Sequence, residues 1–169
     1  MYAATLAWSI NRFMLSEAVI MEWQMRQTDF TLVYTQVEGE CQLYMEIPKG
    51  FEIPDGNTKN CLKILKNIYR QQQAGCIWSL QPKEGLKRCG FLQSDVDEYI
   101  FYKEQVIFMV YIDNAILLSP NNSYIDKSLN EHWQTFKWTE KGKIVHYLGI
   151  KVTKLSKGII SLIQPQMNR

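Results

Sequence analysis

The sequence predicts an α+β domain in which an antiparallel sheet packs against helices on one face. Three observations carry this prediction. Apolar residues recur at helical spacing near the N-terminus, two apolar runs later in the chain are separated by only two turn-forming residues, and helical and strand-like segments follow one another in mixed order. At 169 residues, we expect a single domain over residues 1–169.

The composition is that of a globular protein, because 46% of the residues are hydrophobic and 21% are charged. A disordered chain would lack this apolar content. The net charge of +2 neither requires nor excludes a nucleic-acid partner. The longest strongly apolar run, residues 106–112, is too short to cross a bilayer, and the N-terminus lacks the basic region of a secretory signal. We therefore expect an intracellular protein, cytoplasmic or nuclear, without membrane contact.

The first elements follow from spacing. Residues 5–21 carry apolar side chains at roughly helical intervals and are predicted to form an amphipathic helix packed on a sheet. Residues 23–29 alternate in polarity and predict a half-buried strand. A second short strand is predicted over residues 43–47, and it ends at Pro48.

The middle of the chain mixes turn chemistry with a helix. Residues 48–60 are rich in turn formers and predict a loop, and residues 61–69 predict a strand that runs into a turn. Residues 71–88 are predicted to be helical, although Pro82 lies inside this segment. Because an interior proline removes a backbone donor, the helix is expected to be either kinked or split there. Gly90 is expected to close it.

The strongest local signal is a hairpin. Residues 106–112 are β-branched and aromatic and predict a buried strand, and residues 115–118 predict another. Only Asp113 and Asn114 lie between them, and both residue types tolerate a positive φ. The sequence therefore predicts a tight hairpin with these two residues at its tip.

The C-terminal part predicts a helix and two strands. Apolar residues over 123–136 are spaced by four, four and three positions, which is typical of a helix. Strands are predicted over residues 144–152 and 159–163, joined near residues 157–158.

Two acidic residues could meet in this fold. Asp113 lies at the predicted hairpin tip, and Asp29 ends another predicted strand. If those strands are neighbours, the two carboxylates point to one place, where they could hold Mg²⁺ or Mn²⁺ while substrate phosphates complete the coordination. The alternative is that Asp113 is an ordinary turn residue without a chemical role.

Short motifs spread along the chain occur together in one order. They cover residues 27–36, 43–51, 67–69, 73–75 with Trp78, 111–114, 147–150 and 164–165. In this order and spacing the chain resembles, over nearly its whole length, the reverse transcriptase domain of copia-type retrotransposon Pol polyproteins. The resemblance implies a polymerase-palm-like fold, RNA-directed DNA polymerase ancestry and two-metal nucleotidyl transfer with Mg²⁺ or Mn²⁺.

The resemblance also implies a metal site. Asp29 and Asp113 would be the catalytic metal ligands. Asn114 stands where the family carries the second aspartate of its Tyr-x-Asp-Asp motif, so it is a degenerate metal position. An asparagine keeps a carbonyl oxygen but loses a full negative charge, which is expected to lower the rate by roughly a hundredfold.

Three further residues are implied to bind nucleotide. Tyr34 would be the steric gate that disfavours a ribose 2′-hydroxyl, Phe30 would lie near the nucleotide, and Gln73 would lie near the incoming base or template. For Tyr34 the alternative is core packing. For Gln73 the alternative is a polar residue that opens a helix.

Other positions depart from the family pattern. Arg70 stands where the family usually has glycine, and Gln72 and Cys76 stand where it has basic residues. The chain begins at the palm, so we expect a palm fragment without the N-terminal fingers and the thumb, and with weak or no activity. The expected partners of the ancestral enzyme are an RNA or DNA primer-template, dNTP and other Pol polyprotein regions.

A non-catalytic role is the competing hypothesis. The palm sheet could persist as a nucleic-acid-binding or protein-interaction surface. Two groups of basic residues could contact phosphates, although nearby glutamates favour a solvated charged face: Lys83, Lys87 and Arg88, and Lys137, Lys141 and Lys143.

Overall fold

A computed structural model describes residues 5–30, 38–51, 61–67, 74–132, 138–156 and 159–164. The helices described are α1 (Trp8–Ile20), α2 (Ala74–Arg88) and α3 (Asn122–His132). The strands are β1 (Gln24–Phe30), β2 (Glu38–Met45), β3 (Leu62–Lys66), β4 (Leu92–Gln93), β5 (Ile100–Lys103), β6 (Val106–Tyr111), β7 (Asn114–Ser119), β8 (Trp138–Lys143), β9 (His146–Tyr147), β10 (Ile150–Ser156) and β11 (Ile159–Ile163).

The strands form three antiparallel sheets. The largest has six strands in the order β4-β5-β6-β7-β1-β8, and the others are β11-β10-β9 and β2-β3. Helices and antiparallel sheets along one chain make an α+β fold, so the predicted class is confirmed.

Helices α2 and α3 lie on one face of the six-stranded sheet. Arg26 of β1 forms ion pairs with Asp126 of α3 and with Glu140 of β8. Lys103 of β5 donates to the carbonyl of Cys89, just after α2, and to Glu131 of α3, at 2.9 Å each. Because alternate residues of a strand share a face, these contacts fix the side that the two helices cover.

The core lies in the middle of this sheet. β6 and β7 are mostly buried, and Phe108 of β6 is fully inaccessible to solvent. Its ring meets Phe91 edge-on at 5.9 Å and stacks on Trp138 at 6.2 Å between centroids. Burial of large apolar rings stabilises folds strongly, so this cluster ties β6 to β8 and to the segment after α2.

Helix α1 lies against the opposite face. Ile10 and Phe13 of α1 line an apolar cavity of about 530 Å³ together with Tyr102 and Ile107 of the sheet. Asn11 is fully buried, and its Nδ2 donates to the hydroxyl of Tyr147 at 3.5 Å. The helix therefore joins the six-stranded sheet to the small sheet that contains β9.

Several predicted elements are confirmed with small shifts. α1, β1, β3 and β11 lie within or one residue beyond their predicted ranges, and β2 begins earlier than predicted. α3 confirms the first part of the helix predicted over residues 123–136, of which residues 133–137 lie outside the described part. Most of the predicted loop 48–60, residues 68–73 and the joint at 157–158 also lie outside it.

The sequence left open whether Pro82 kinks or splits the second helix. The helix is one element that runs through a buried Pro82, so it is not split. It ends as predicted: Gly90 has φ +82°, its N–H donates to the carbonyl of Lys87 at 2.9 Å, and the N–H of Phe91 donates to the carbonyl of Leu86 at 3.0 Å. These two bonds are a Schellman cap.

One strand prediction needs correction, and three strands were not predicted. The single strand predicted over residues 144–152 is interrupted, because Leu148 and Gly149 adopt φ +51° and +78° and turn the chain between β9 and β10. β4, β5 and β8 were not predicted. Within β8 only Trp138 is buried, so its polar sequence carries no alternation of apolar residues.

Candidate active site

The hairpin between β6 and β7 presents Asp113. Tyr111 pairs with Asn114, so the two loop residues are Ile112 and Asp113. The prediction that Asp113 and Asn114 form the tip is wrong by one residue. The reason is that Ile112 adopts φ +52°, a conformation that β-branched residues rarely take and that costs on the order of 1–3 kcal/mol.

β1 carries Asp29 to the same place. It lies beside β7, and Asp29 pairs directly with Asn114 across the ladder. The N–H of Phe30 donates to the carbonyl of Asp113 at 2.7 Å. Side chains of directly opposed residues share a face, so the acidic end of β1 and the hairpin tip meet at one corner of the sheet.

A chain of hydrogen bonds orients the Asp113 carboxylate. Asn114 Nδ2 donates to Asp113 Oδ1 at 2.8 Å, and Gln27 Nε2 donates to Asn114 Oδ1 at 3.1 Å. An ionised carboxylate only accepts, so the amide of Asn114 must turn its nitrogen to Asp113 and its oxygen to Gln27. Gln27 is 5% exposed, so this donor is fixed from inside the sheet.

The Asp29 carboxylate has a cationic partner. Lys141 of β8 places its Nζ 2.7 Å from Asp29 Oδ2. The side chains of Asp29 and Lys141 are 32% and 46% exposed, so the pair lies at the surface. The ladder between β1 and β8 shifts at this point, because Gln27 pairs with Gly142 whereas Thr28 pairs with Glu140.

Sequence reasoning missed the roles of Gln27 and Lys141. Gln27 precedes Asp29 by two residues, so strand alternation alone could have placed both side chains on one face. Lys141 was considered only as a phosphate contact, because its strand was not predicted.

The donor set suits a hard cation held in part by the chain. Among the residues that the structure describes, no group of three or more His, Cys, Asp or Glu side chains could hold a metal ion. Two half-buried carboxylates at one corner nevertheless fit Mg²⁺, which proteins often bind through one or two carboxylates while water and substrate phosphates complete the octahedron. Asn114 Oδ1 already accepts a hydrogen bond from Gln27.

The residues predicted to contact nucleotide are only partly described. The Phe30 ring is 3% exposed and packs against Trp138 at 6.0 Å between centroids, on the sheet face opposite Asp29. Its N–H, by contrast, supports Asp113. Tyr34 and Gln73 lie outside the described residues, and their roles stay predictions.

Two members of the first basic group, Lys83 and Arg88, have acidic partners. Lys83 Nζ lies 2.7 Å from Glu98 and 4.2 Å from the centroid of the Tyr99 ring. Burial opposes its charge, but the hydrogen bonds to Glu98 and Tyr99 outweigh burial and raise the pKa of Lys83. Arg88 pairs with Glu84 at 3.3 Å across one helical turn. Of the second group, Lys137 lies outside the described residues.

None of the helices in the described ranges has the length and apolar character needed to span a membrane.

Comparisons with known proteins identify the family of the chain. The family model described as reverse transcriptase (RNA-dependent DNA polymerase) matches residues 1–168. The chain is 26% identical over 152 residues to the retrovirus-related Pol polyprotein from transposon RE1 of Arabidopsis thaliana, covering 88% of this chain and 10% of the relative. It is 24% identical over 148 residues to the Pol polyprotein from transposon TNT 1-94 of Nicotiana tabacum, covering 85% and 11%.

A yeast relative, the putative transposon Ty5-1 protein of Saccharomyces cerevisiae, is 22% identical over 124 residues, covering 71% of this chain and 40% of the relative. No solved structure matches significantly. The chain spans about a tenth of the length of the plant Pol polyproteins it matches. The resemblance to copia-type Pol polyproteins is confirmed, and the chain belongs to the reverse transcriptase (RNA-dependent DNA polymerase) family.

Proposed function

We propose that residues 1–169 form a palm-like domain that carries out RNA-directed DNA synthesis, with Asp29 and Asp113 as the ligands of Mg²⁺ or Mn²⁺. The substrates are a primer-template and dNTP, and other regions of a Pol polyprotein are the expected partners. One observation carries the proposal: Asp29 lies opposite Asn114 while the N–H of Phe30 holds the Asp113 carbonyl at 2.7 Å. This register supports a shared cation corner for two acids that are far apart in sequence.

The residues of the chain have distinct tasks at this corner. The cation, when bound, supplies positive charge that stabilises the attacking oxygen and the leaving phosphate. The carboxylates of Asp29 and Asp113 hold it. Asn114 and Gln27 fix the direction of the Asp113 carboxylate through bonds of 2.8 and 3.1 Å. Accurate orientation matters because small misplacements in an active site lower rates strongly.

We infer that the activity is weak. Asn114 is neutral, and it also turns the hydrogens of its amide toward Asp113. A site that loses one negative charge near the cations is expected to react roughly a hundredfold more slowly. With Mg²⁺ or Mn²⁺, catalysis should therefore be detectable only over long incubation.

A non-catalytic role is the second candidate. The observation that favours it is the ion pair of Asp29 with Lys141 at 2.7 Å, which neutralises one of the two expected ligands. The palm would then bind a nucleic acid or another protein without chemistry. Such binding to a primer-template would weaken as salt rises.

Primer extension tests the proposal. The 169-residue chain is incubated with a DNA primer on an RNA template, dNTP and either cation. We expect slow extension that Asp29→Ala and Asp113→Ala abolish, while Asp95→Ala, which removes an exposed acid elsewhere on the domain, leaves it unchanged. Extension that survives both site substitutions would contradict the catalytic assignment. Salt-dependent binding of the primer-template without extension would favour the second candidate.

A further inference from the structure

Lys141 owes its position to a bulge in β8. Gln27 of β1 pairs with Gly142 and the next residue, Thr28, pairs with Glu140, so Lys141 is the extra residue between two ladder positions. Gly142 adopts φ +74°, which accommodates the local twist. Bulges redirect side chains near functional sites. Here the redirected side chain is a lysine that reaches Asp29 across the strand pair.

The Lys141 ammonium occupies the carboxylate that a divalent cation would use. Its Nζ lies 2.7 Å from Asp29 Oδ2, which is the distance of a direct charge-assisted hydrogen bond. A divalent cation bound to the same carboxylate would meet the ammonium at close range. The two positive charges repel each other, so a cation binds the two carboxylates more weakly while Lys141 stays paired with Asp29.

The structure also allows Lys141 to leave. Its side chain is 46% exposed, and lysine carries its charge on a flexible four-carbon stem. Exposed ion pairs are weak, equivalent to at most about fivefold in an equilibrium constant. Arg26 is different, because it is paired with both Asp126 and Glu140 and is held in place on the other face of the sheet. Lys141 is thus a weakly held cation beside the site.

We propose that Lys141 is a built-in competitor for the divalent cation at Asp29, and that it sets the cation concentration at which the corner fills. The inference rests on the proposed function, because it takes Asp29 and Asp113 as the cation ligands. The inference adds Lys141 as a residue that determines how readily these two carboxylates bind the cation. Removing the ammonium should tighten cation binding without any change in the two carboxylates.

Mn²⁺ binding measures this competition without catalysis. Free Mn²⁺ is followed by electron paramagnetic resonance while the metal is titrated into the 169-residue chain. We expect Lys141→Met to tighten Mn²⁺ binding by about two- to fivefold, the equivalent of one exposed ion pair. Lys141→Arg, which keeps the charge, should bind like the unmodified chain.

Lys143→Met is the matched control. It removes the same charge from the same strand, but Lys143 lines a separate polar cleft with Arg26 and Glu140. Equal tightening in the two methionine variants would reduce the effect to net charge and overturn the inference. Lower thermal stability of Lys141→Met with unchanged Mn²⁺ affinity would also overturn it, because Lys141 would then be only a structural link.

Asp29→Asn distinguishes failure of the competitor role of Lys141 from failure of the cation corner itself. If it weakens Mn²⁺ binding while Lys141→Met and Lys143→Met behave alike, the cation corner stands and the competitor role fails. If Asp29→Asn leaves Mn²⁺ binding unchanged, the corner itself fails, and the competitor role fails with it.

Discussion

Gln27 Nε2 donates to Asn114 Oδ1 at 3.1 Å, which matches the direction that the Asp113 carboxylate imposes on the Asn114 amide. The oxygen that could have met a cation is held by a buried side chain, and the nitrogen is left for Asp113. Asn114, at a degenerate ligand position, therefore orients the neighbouring Asp113 carboxylate instead of binding a cation.

Replacing Gln27 with methionine should destabilise the domain. The variant keeps the approximate volume but removes the donor, so Asn114 Oδ1 loses its partner in a half-buried site. We expect the free energy of unfolding to fall by about 1–3 kcal/mol in denaturant titrations. Gln24→Met, on the half-buried start of the same strand, should change it by less than about 0.5 kcal/mol. Similar losses of unfolding free energy in both variants would show that the Gln27–Asn114 hydrogen bond does not contribute specifically to stability.

Asn114→Asp should lower the stability of the domain and make that stability depend on a divalent cation. The donor to Asp113 at 2.8 Å becomes a second carboxylate, so repulsion replaces a charge-assisted hydrogen bond. Without cation we expect a loss of about 1–3 kcal/mol. Millimolar Mn²⁺ should raise the melting temperature of this variant more than that of the unmodified chain or of Asn114→Ala. Equal Mn²⁺ responses in all three would contradict the proximity of residue 114 to the cation.

Tyr147 should make the domain sensitive to alkali. Burial raises its pKa above the ordinary value, and the hydrogen bond from Asn11 offsets this only in part. Because the folded pKa is the higher one, the contribution of Tyr147 to stability is complete at neutral pH. It is lost as pH rises above about 10, by up to about 1.4 kcal/mol per pH unit.

Tyr147→Phe is the matching variant. It should lower stability at neutral pH by about 1 kcal/mol, since one hydrogen bond is lost, and flatten the decline between pH 9 and 11. Chemical denaturation at several pH values measures both effects. If stability falls as steeply with pH in Tyr147→Phe as in the unmodified chain, groups other than Tyr147 cause the alkaline decline.

The sequence predicted the parts of the fold that obey local rules. The apolar runs on either side of Asp113, the alternation before Asp29 and the glycine after α2 all follow common backbone chemistry, and each element was found. Ile112 breaks such a rule, because a β-branched residue takes φ +52° where Asp113 and Asn114 were the better turn formers. For that reason the observed loop, Ile112 and Asp113, lies one residue earlier than the predicted one.

Long-range pairings set what the sequence could not predict. β8 is an edge strand with a single buried side chain, so no apolar pattern marks it. Lys141 reaches Asp29 only because that strand pairs with β1 through a bulge. Likewise, the partner of Asn114 Oδ1 is Gln27, 87 residues earlier in the chain. Such contacts become visible only once the register of the sheet is known.

Paramagnetic broadening by Mn²⁺ shows whether Asp29 and Asp113 hold a cation together. In a ¹⁵N-labelled sample, sub-stoichiometric Mn²⁺ broadens the amide signals nearest to the bound ion. The shared corner predicts that the signals of Phe30 and Asn114 broaden first, and that Asp29→Asn combined with Asp113→Asn removes this effect. Broadening centred elsewhere, such as around Asp126 and Glu140, or unaffected by the double substitution, would contradict it.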